Sequence, residues 1–286
     1  MSSNVILGTA TQQNLLALQQ ITKQQDTAQN HLATGLKVAS AVDDAVSFFQ
    51  SQSLQNRASD ITTRNNAIDQ GISSLTTATQ AVQTVVSLLQ QLQGIITSAK
   101  TETASQRAAA ATQFTSLATQ LNNLINDASY QGLNLVNSTA SVLKLQFSQT
   151  STSVLKIAGY NLQVSKLVST GVKASLLATK IVTTKFSTVS NKTSKFDLAY
   201  NALQNAIFTA QSDAQALGGN VGFLQTRLAF GQQYVTTLQG GSNKLVVADV
   251  NLESTNLVTL QTRQQLSIQS LSIATQAEQS VLRLFH

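Results

Sequence analysis

Apolar residues recur at helical spacing near both ends of the chain, in a background of Gln, Ser and Thr. Within residues 10–32 and 257–285 they form stripes that have to be buried against another surface. We expect these segments to become ordered by packing against identical neighbours in an assembly. The residues assigned to this self-assembly role are Leu15, Leu18, Ile21, Leu32, Leu266, Ile268, Leu271, Ile273, Val281, Leu282, Leu284 and Phe285.

Longer helices are predicted between these ends. The first helix ends at Thr34–Gly35, and a second runs from about Asp43–Asp44 to Ala99, where acids at the N-terminus cap free amides and meet the positive end of the helix dipole. After a turn at 100–106, a third helix folds back on the second as a hairpin. Apolar steps of three and four residues predict a coiled-coil seam. Its residues are Ile68, Ile72, Leu75, Val82, Val86, Leu89, Ile96, Phe114, Leu117, Leu121 and Leu124.

The middle of the chain changes to a β pattern. Residues 142–147 and 154–157 alternate, and 179–189 are rich in β-branched residues, which predicts short strands and turns. Residues 176–178 could instead be helical. Helix returns near Phe196 and continues to about Leu238, with a break expected at Gly240–Gly241 because interior glycines weaken helices. The last helix is expected from about Ala248 to Leu284.

The fold class that follows is mainly α. We expect a long antiparallel helical rod or coiled-coil bundle, with paired terminal helices and a small β-rich middle segment. The complete absence of proline favours long helices, because proline in a helix interior costs about 3 kcal/mol. Only 10% of the residues are charged, well below the roughly 25% of typical domains, so this surface can be buried against copies of itself at low desolvation cost.

The positive charge belongs to one internal segment. The net charge is +6, and no Asp or Glu lies between Asp127 and Asp197, whereas eight lysines lie between residues 144 and 195. Nucleic-acid sites usually interleave Arg and aromatic residues with Lys, and this segment has no Arg. We therefore expect a solvated basic surface and no nucleic-acid partner.

Residues with catalytic or metal-binding chemistry are scarce. The chain has no Cys, which excludes disulfides and Cys-ligated metals. His31 and His286 have no accompanying acid cluster, and Asp43–Asp44 fits a helix cap and polar contact better than an acid–base pair. No phosphate loop or nucleophile elbow is present. We predict no catalytic residue, no cofactor and no metal.

Export and membrane signals are also absent from the sequence. The sequence contains no run of about 18 apolar residues, which is the length that would predict a membrane span. The first basic residue is Lys23, and residues 5–7 form too short an apolar run for a secretory signal peptide. A secreted role would therefore need a route that leaves the N-terminus uncleaved.

Three blocks of sequence carry a family resemblance. Residues 32–45 read LATGLKVASAVDDA, residues 126–137 read NDASYQGLNLVN, and residues 264–285 read QQLSIQSLSIATQAEQSVLRLF. In these motifs and in their order the chain resembles bacterial flagellins, the subunits of the flagellar filament. The resemblance covers residues 1–137 and 197–286, and residues 56–61 and 260–266 resemble the alphaproteobacterial branch.

The resemblance implies an organisation of the chain. Residues 1–42 and 243–286 would form the helices of an inner tube, and residues 43–138 and 197–242 would form the rod domain around it. Residues 139–196 would be a short variable β-rich outer segment. It also implies export as an unfolded chain through the flagellar type III channel and an extracellular place in the filament.

The resemblance implies partners as well. These are identical subunits, companion flagellins, an export chaperone that binds the C-terminal region, and hook-associated and cap proteins. Two other functions stay open: a hook–filament junction protein with similar ends, or a type III secreted translocator or other amphipathic membrane-active protein. The membrane-active alternative predicts a basic amphipathic helix, whereas the lysines lie in the β-like segment. Enzyme activity has the least support.

Overall fold

The computed structural model describes residues 9–148, 153–167 and 192–284. Within these residues the chain forms six helices and four short strands. Their bounds are α1 Thr9–Thr34, α2 Ala45–Ala99, α3 Ala104–Asp127, β1 Ser129–Tyr130, β2 Leu133–Asn134, β3 Val142–Gln146, β4 Val154–Ala158, α4 Val164–Leu167, α5 Lys192–Val246 and α6 Val250–Leu284. The mainly α class with a few short antiparallel strands is confirmed.

The chain divides into two compact units. Unit 1 consists of Met1–Ala58 and Thr236–His286, and unit 2 consists of Ser59–Val235. Helices α2 and α5 each contribute one end to unit 1 and their longer part to unit 2.

Unit 2 contains the hydrophobic core. Every member of the core cluster lies between Ile68 and Leu224. Gln93 on α2 donates to Gln204 on α5 at 2.9 Å, and Lys100 pairs with Asp197 at 2.6 Å. From the first contact to the second, the residue number rises on α2 and falls on α5, so the two helices are antiparallel. The core is therefore built between α2, α3 and α5 by the apolar stripes that the sequence shows.

The strands of unit 2 form two small antiparallel sheets, β1–β2 and β3–β4. In the β3–β4 hairpin Leu143 is opposite Ile157 and Leu145 is opposite Leu155. Leu143, Leu145 and Ile157 are buried in the core, while the alternate positions are exposed, as expected for a sheet with one covered face. A Cβ at Gly71 of α2 would lie 2.7 Å from Leu145, so this glycine permits the hairpin to approach the helix closely.

Asn134 joins the end of α3 to the strands. Its side-chain amide donates to the carbonyl of Ile125 at 2.7 Å, and its Oδ1 accepts from the amides of Val136 and Asn137. It thereby satisfies a free helix-end carbonyl and fixes the turn. The β1–β2 loop consists of Gln131 and Gly132, both with positive φ, the geometry that suits a two-residue hairpin.

Unit 1 contains the antiparallel pair of α1 and α6. His31 near the end of α1 lies 3.0 Å from Glu253 near the start of α6. The predicted glycine cap is confirmed: Gly35 has φ +70° and donates to the carbonyl of His31. The following loop pairs with the α5–α6 connection, since Lys37 N donates to Val246 O at 2.8 Å and Ala248 N donates to Gly35 O at 2.9 Å.

The break predicted at Gly240–Gly241 is wrong, because α5 continues to Val246. Ser242 in the next position is fully buried, and its hydroxyl lies 2.8 Å from the hydroxyl of Ser51 on α2. Small side chains here let α5 pack closely on α2, and this packing outweighs the roughly 1 kcal/mol that each glycine costs. The chain turns instead after Val246, and Asp249 caps α6 by accepting from the amides at 251 and 252.

The remaining sequence predictions differ in outcome. The turn predicted at 100–106 is shorter, because a capping box between Thr103 and Gln106 starts α3 at Ala104. The strands predicted at 142–147 and 154–157 are confirmed. The predictions for 176–178 and 179–189 lie outside the described residues. Among the described helices none is both long and apolar enough to cross a membrane.

Candidate self-assembly surface

The predicted assembly residues of unit 1 are incompletely buried. Leu18, Ile21, Leu32 and Leu271 have intermediate exposure. More open positions are Leu15 at 39%, Leu266 at 62%, Ile268 at 52% and Ile273 at 63% exposed. The side chains of Val281, Leu282 and Leu284, and the whole of Phe285, lie outside what the structure describes.

The α1–α6 pair does not enclose a core of large side chains. Among the residues with a described side chain, Ala28 is the buried hydrophobic residue of α1, and α6 has none. Gln25 is only 6% exposed, and its Nε2 finds no hydrogen-bond partner among the described residues. A buried amide left in this state costs about 1–3 kcal/mol. The pair thus buries little apolar surface and leaves a polar group unsatisfied.

Further apolar side chains of unit 1 are exposed at positions that the sequence analysis did not select. Large contiguous apolar patches mark interaction sites in soluble proteins. A signal for three of them was present, because Val42, Val46 and Phe49 are spaced four and three residues apart, away from the predicted seam. The additional exposed residues are Leu16, Val42, Val46, Phe49, Val247, Val250, Leu252 and Val258.

Asp43 and Asp44 order the segment before α2. Asp44 Oδ1 accepts from the amides of Val46 and Ser47, and its Oδ2 accepts from the Ser47 hydroxyl at 2.6 Å, which caps α2. Asp43 Oδ2 accepts from the amides of Ala39 and Ser40, so it closes the preceding turn.

These hydrogen bonds favour the ionised carboxylates. The bonds from the Ser40 and Ala39 amides lower the pKa of Asp43, and the bonds from the Ser47 hydroxyl and amide lower the pKa of Asp44. Both groups therefore carry negative charge on an exposed surface at neutral pH.

The residues predicted to pack the rod lie in the core of unit 2. Ile68, Leu75, Val82, Leu89, Ile96, Phe114 and Leu121 are buried, and Ile72, Val86, Leu117 and Leu124 are partly buried against them. Val85 and Leu92 on α2 and residues of the β3–β4 hairpin also belong to this core, although the three- and four-residue spacing of the seam does not predict them. Val85 and Leu92 are in the core because two different elements cover α2, so its buried face is wider than a single seam.

No cluster of metal-ligating side chains occurs in the described part of the chain, which contains no group of three His, Cys, Asp or Glu residues that could hold a metal ion. The imidazole of His31 is engaged with Glu253.

Both the fold and this surface define a class of protein. One unit has a closed core, whereas in the other the helices α1 and α6 leave apolar side chains exposed. A helical chain with these two features is an assembly subunit. Comparisons with known proteins are consistent with that class. A model of the bacterial flagellin N-terminal helical region matches residues 6–141.

Curated relatives extend the likeness over most of the chain. A flagellin of Brucella melitensis is 25% identical over 95% of both chains. The flagellin FljK of Caulobacter vibrioides is 27% identical over 91% of this chain and 90% of its own length. Over most of its length the chain is therefore similar to flagellins of alphaproteobacteria.

A solved structure supports the fold. A Vibrio parahaemolyticus protein described as flagellar hook-associated superposes with a TM-score of 0.61 at 13% identity, over 72% of this chain and all of that one.

Proposed function

We propose that this chain is a structural subunit that polymerises into the bacterial flagellar filament and so serves swimming motility. The observation that carries the proposal is the apolar surface of unit 1, which the chain itself leaves open. Leu266, Ile268 and Ile273 on α6 are all more than half exposed. The similarity to flagellins supports the kind of assembly in which such a surface is covered.

The energetics favour burial between copies. Removing apolar surface from water contributes about 25 cal/mol per Å². The surrounding positions are mostly Gln, Ser, Thr and Asn, whose amides and hydroxyls can bond to one another across an interface. Contacts with identical subunits therefore gain the hydrophobic term without the high cost of desolvating many charges.

Within this function the chain has several roles to fill. Residues 1–42 and 243–286 supply the contacts of an inner tube, 43–138 and 197–242 the surrounding rod, and 139–196 the outer segment. The subunit is exported unfolded, and it occupies an extracellular position in the filament with no catalytic activity of its own. An export chaperone binds the C-terminal helix before assembly, and companion flagellins, hook-associated proteins and the cap adjoin the polymer.

A hook–filament junction protein is the second candidate. This candidate is favoured by the likeness in fold to the Vibrio protein described as hook-associated, because the superposition covers the whole of that chain. The curated relatives that match over almost the whole chain are flagellins, which favours the filament subunit. The two functions differ in copy number, because a junction protein does not extend into a long polymer.

The test is seeded polymerisation of purified protein, followed by negative-stain microscopy. We expect long uniform filaments from the wild type. Leu266→Asp and Ile273→Asp are expected to prevent elongation, because each puts a charge into the apolar surface. Gln265→Asp is the matched control, since it adds the same charge at an exposed polar position of the same helix, and it should still elongate.

Two results would contradict the proposal. Failure of the wild type to elongate on filament seeds would reject the filament role. Normal elongation of both aspartate variants would show that the α6 surface does not take part. Circular dichroism of each monomer establishes whether a negative result comes from assembly or from misfolding.

A further inference from the structure

Two exposed features of unit 1 have complementary charge and shape. The first, the acidic knob, consists of Val42, Asp43, Asp44, Val46 and Phe49. Val42 is 94% exposed, Val46 is 65% exposed and Phe49 is 62% exposed, so the rest of the described chain does not cover these apolar side chains. The two aspartates lie between these apolar residues in the sequence and are ionised, as described above.

The acidic knob is braced by local hydrogen bonds. The carboxylates of Asp43 and Asp44 accept hydrogen bonds from the backbone on both sides of the turn. Phe48 packs edge-to-face on Phe49, with 5.5 Å between the ring centroids. A surface that is already ordered loses little conformational entropy on binding, so this knob is preorganised for contact.

The second feature is the basic groove between α1 and α6, with a volume of about 470 Å³. We define it by Lys23, Thr27 and Ala28 on α1 and Leu260 and Arg263 on α6. The volume is in the range of roughly 300–1,000 Å³ that binding clefts occupy. Ala28 and Leu260 give the groove an apolar floor, and Lys23 and Arg263 are exposed on opposite sides of it.

The charges of the basic groove are not balanced from within. Its one carboxylate, Glu253, is engaged by His31 at 3.0 Å. Among the described residues, neither Lys23 nor Arg263 takes part in an ion pair. The groove therefore presents Lys23 and Arg263 against a single carboxylate, which leaves an excess of positive charge beside an apolar floor, and this complements the two negative charges beside apolar side chains on the knob.

We propose that the acidic knob of one subunit docks in the basic groove of a second copy of this chain. Val42 and Val46 contact Ala28 and Leu260, and the aspartates face Lys23 and Arg263. Knob and groove are different surfaces of one molecule, so the contact is heterologous: each subunit offers a knob to one neighbour and a groove to another. Repetition of a heterologous contact gives either a ring or an open helical polymer. We infer the open helical polymer here, and this choice rests on the proposed filament function.

The absence of cysteine allows a direct test by crosslinking. Val42→Cys on the knob and Thr27→Cys in the groove are combined in one chain, polymerised on seeds, and treated with a short bismaleimide. We expect a ladder of covalent dimers, trimers and longer oligomers, because each subunit links to two neighbours. Val42→Cys combined with Ser165→Cys, an exposed position of unit 2, is the matched control and should give no ladder.

A charge cycle tests the pairing itself. Asp43→Asn/Asp44→Asn keeps the capping oxygens but removes both charges, and Lys23→Gln/Arg263→Gln removes the charges of the groove. We expect each double variant to raise the critical concentration for elongation at least about tenfold, as for the loss of a buried charge pair. The quadruple variant should be no worse than either double, because both remove the same interaction.

The results that overturn this inference are separate from those that overturn the filament role. Filaments of the Val42→Cys/Thr27→Cys chain that give no ladder would reject the knob–groove contact while leaving the filament function intact. Fully additive effects in the charge cycle would also reject it. A wild-type chain that does not elongate would reject the filament function itself.

Discussion

Units 1 and 2 share the long helices α2 and α5, yet they differ in how completely their apolar residues are buried. In unit 2, Leu75, Leu89, Leu92 and Leu121 are fully buried. Among the described side chains of unit 1 the buried hydrophobic residues are Ala28, Val38, Ala58, Leu238, Val246 and Ala248, most of them small. The difference lies in the number of elements that cover each surface.

In unit 2 the helices are covered from more than one side. Phe114 and Leu121 of α3 and Leu143 and Leu145 of β3 all join the core cluster formed with α2 and α5. In unit 1 the stripes of α1 and α6 face mainly one another, and two helices alone cannot enclose a wide apolar stripe. Unit 2 therefore has the core of a self-sufficient domain, whereas the apolar stripes of unit 1 are left partly uncovered.

Truncation of one leucine in each unit gives the largest expected contrast. Leu89→Ala in unit 2 should lower the free energy of unfolding of the monomer by about 2–5 kcal/mol, since it removes a fully buried side chain and leaves a cavity. Leu266→Ala in unit 1 should change it by less than about 0.5 kcal/mol, because that side chain is 62% exposed. Urea unfolding of the monomer measures both.

The same two variants should reverse their order in polymerisation. Leu266→Ala is expected to raise the critical concentration, because it removes apolar surface that assembly buries. Equal destabilisation of the monomer by both variants would mean that unit 1 is already packed in isolation, and the contrast between the units would then be lost.

Sequence periodicity predicts the fold well where local rules decide it. Gly35 caps α1 with a positive φ, and Asp44 caps α2 through its carboxylate, as spacing and capping chemistry predict. The β3–β4 hairpin follows from the alternation at 142–147 and 154–157. These features depend on residues that are neighbours in the sequence, so the sequence alone contains their signal.

Features that depend on distant residues were not predictable in the same way. The continuation of α5 through Gly240–Gly241 depends on Ser51, which is 191 positions away from its partner Ser242. Val42 was missed as part of the exposed surface although its spacing from Val46 and Phe49 carries a signal, because spacing alone does not show whether a stripe faces solvent. The basic groove requires α1 and α6 to be brought together, which no local pattern specifies.

Glycine substitution offers a smaller and sharper comparison. At Gly159 in unit 2 a Cβ would lie 2.5 Å from the carbonyl oxygen of Ser138, so Gly159→Ala forces the backbone to move and should cost about 1–3 kcal/mol. At Gly240 in unit 1 nothing lies within 4 Å of the added atom. Gly240→Ala should therefore stabilise the monomer by about 0.5–1 kcal/mol through helix propensity.

Thermal unfolding of the two alanine variants, followed by circular dichroism, tests this pair. Opposite signs would support tight packing around the β4 end in unit 2 and open surroundings at α5 in unit 1. A stabilising effect at Gly159 would contradict the close approach of the 135–138 segment. Because the two changes are chemically identical, the difference between them reports the local space and backbone context of each glycine.

The acids of the two units differ in their response to pH, which leads to the smallest expected effect. Burial raises the pKa of Asp213 in unit 2 to about 6, and burial, together with the charge of Asp213, raises the pKa of Tyr160. The pKa values of Asp43 and Asp44 in unit 1 are instead lowered by the hydrogen bonds to their carboxylates.

The signs follow from which state holds the proton more tightly. Folded Asp213 binds a proton more tightly than the unfolded chain, so its contribution to stability falls as pH rises from about 4 to about 6. For Asp43 and Asp44 the contribution to stability is present above pH 3.8 and is lost as pH falls below that value.

Asp213→Asn should remove the fall in stability between pH 4 and 6, and it should leave the loss of stability at lower pH unchanged. Because Asp213 is half-buried and screened by solvent, we expect a Tm difference below the roughly 2–4 °C that 1 kcal/mol produces in a protein of this size. Melting curves of both monomers from pH 3 to pH 7 measure it, and parallel curves for the two proteins would show that Asp213 is fully solvated.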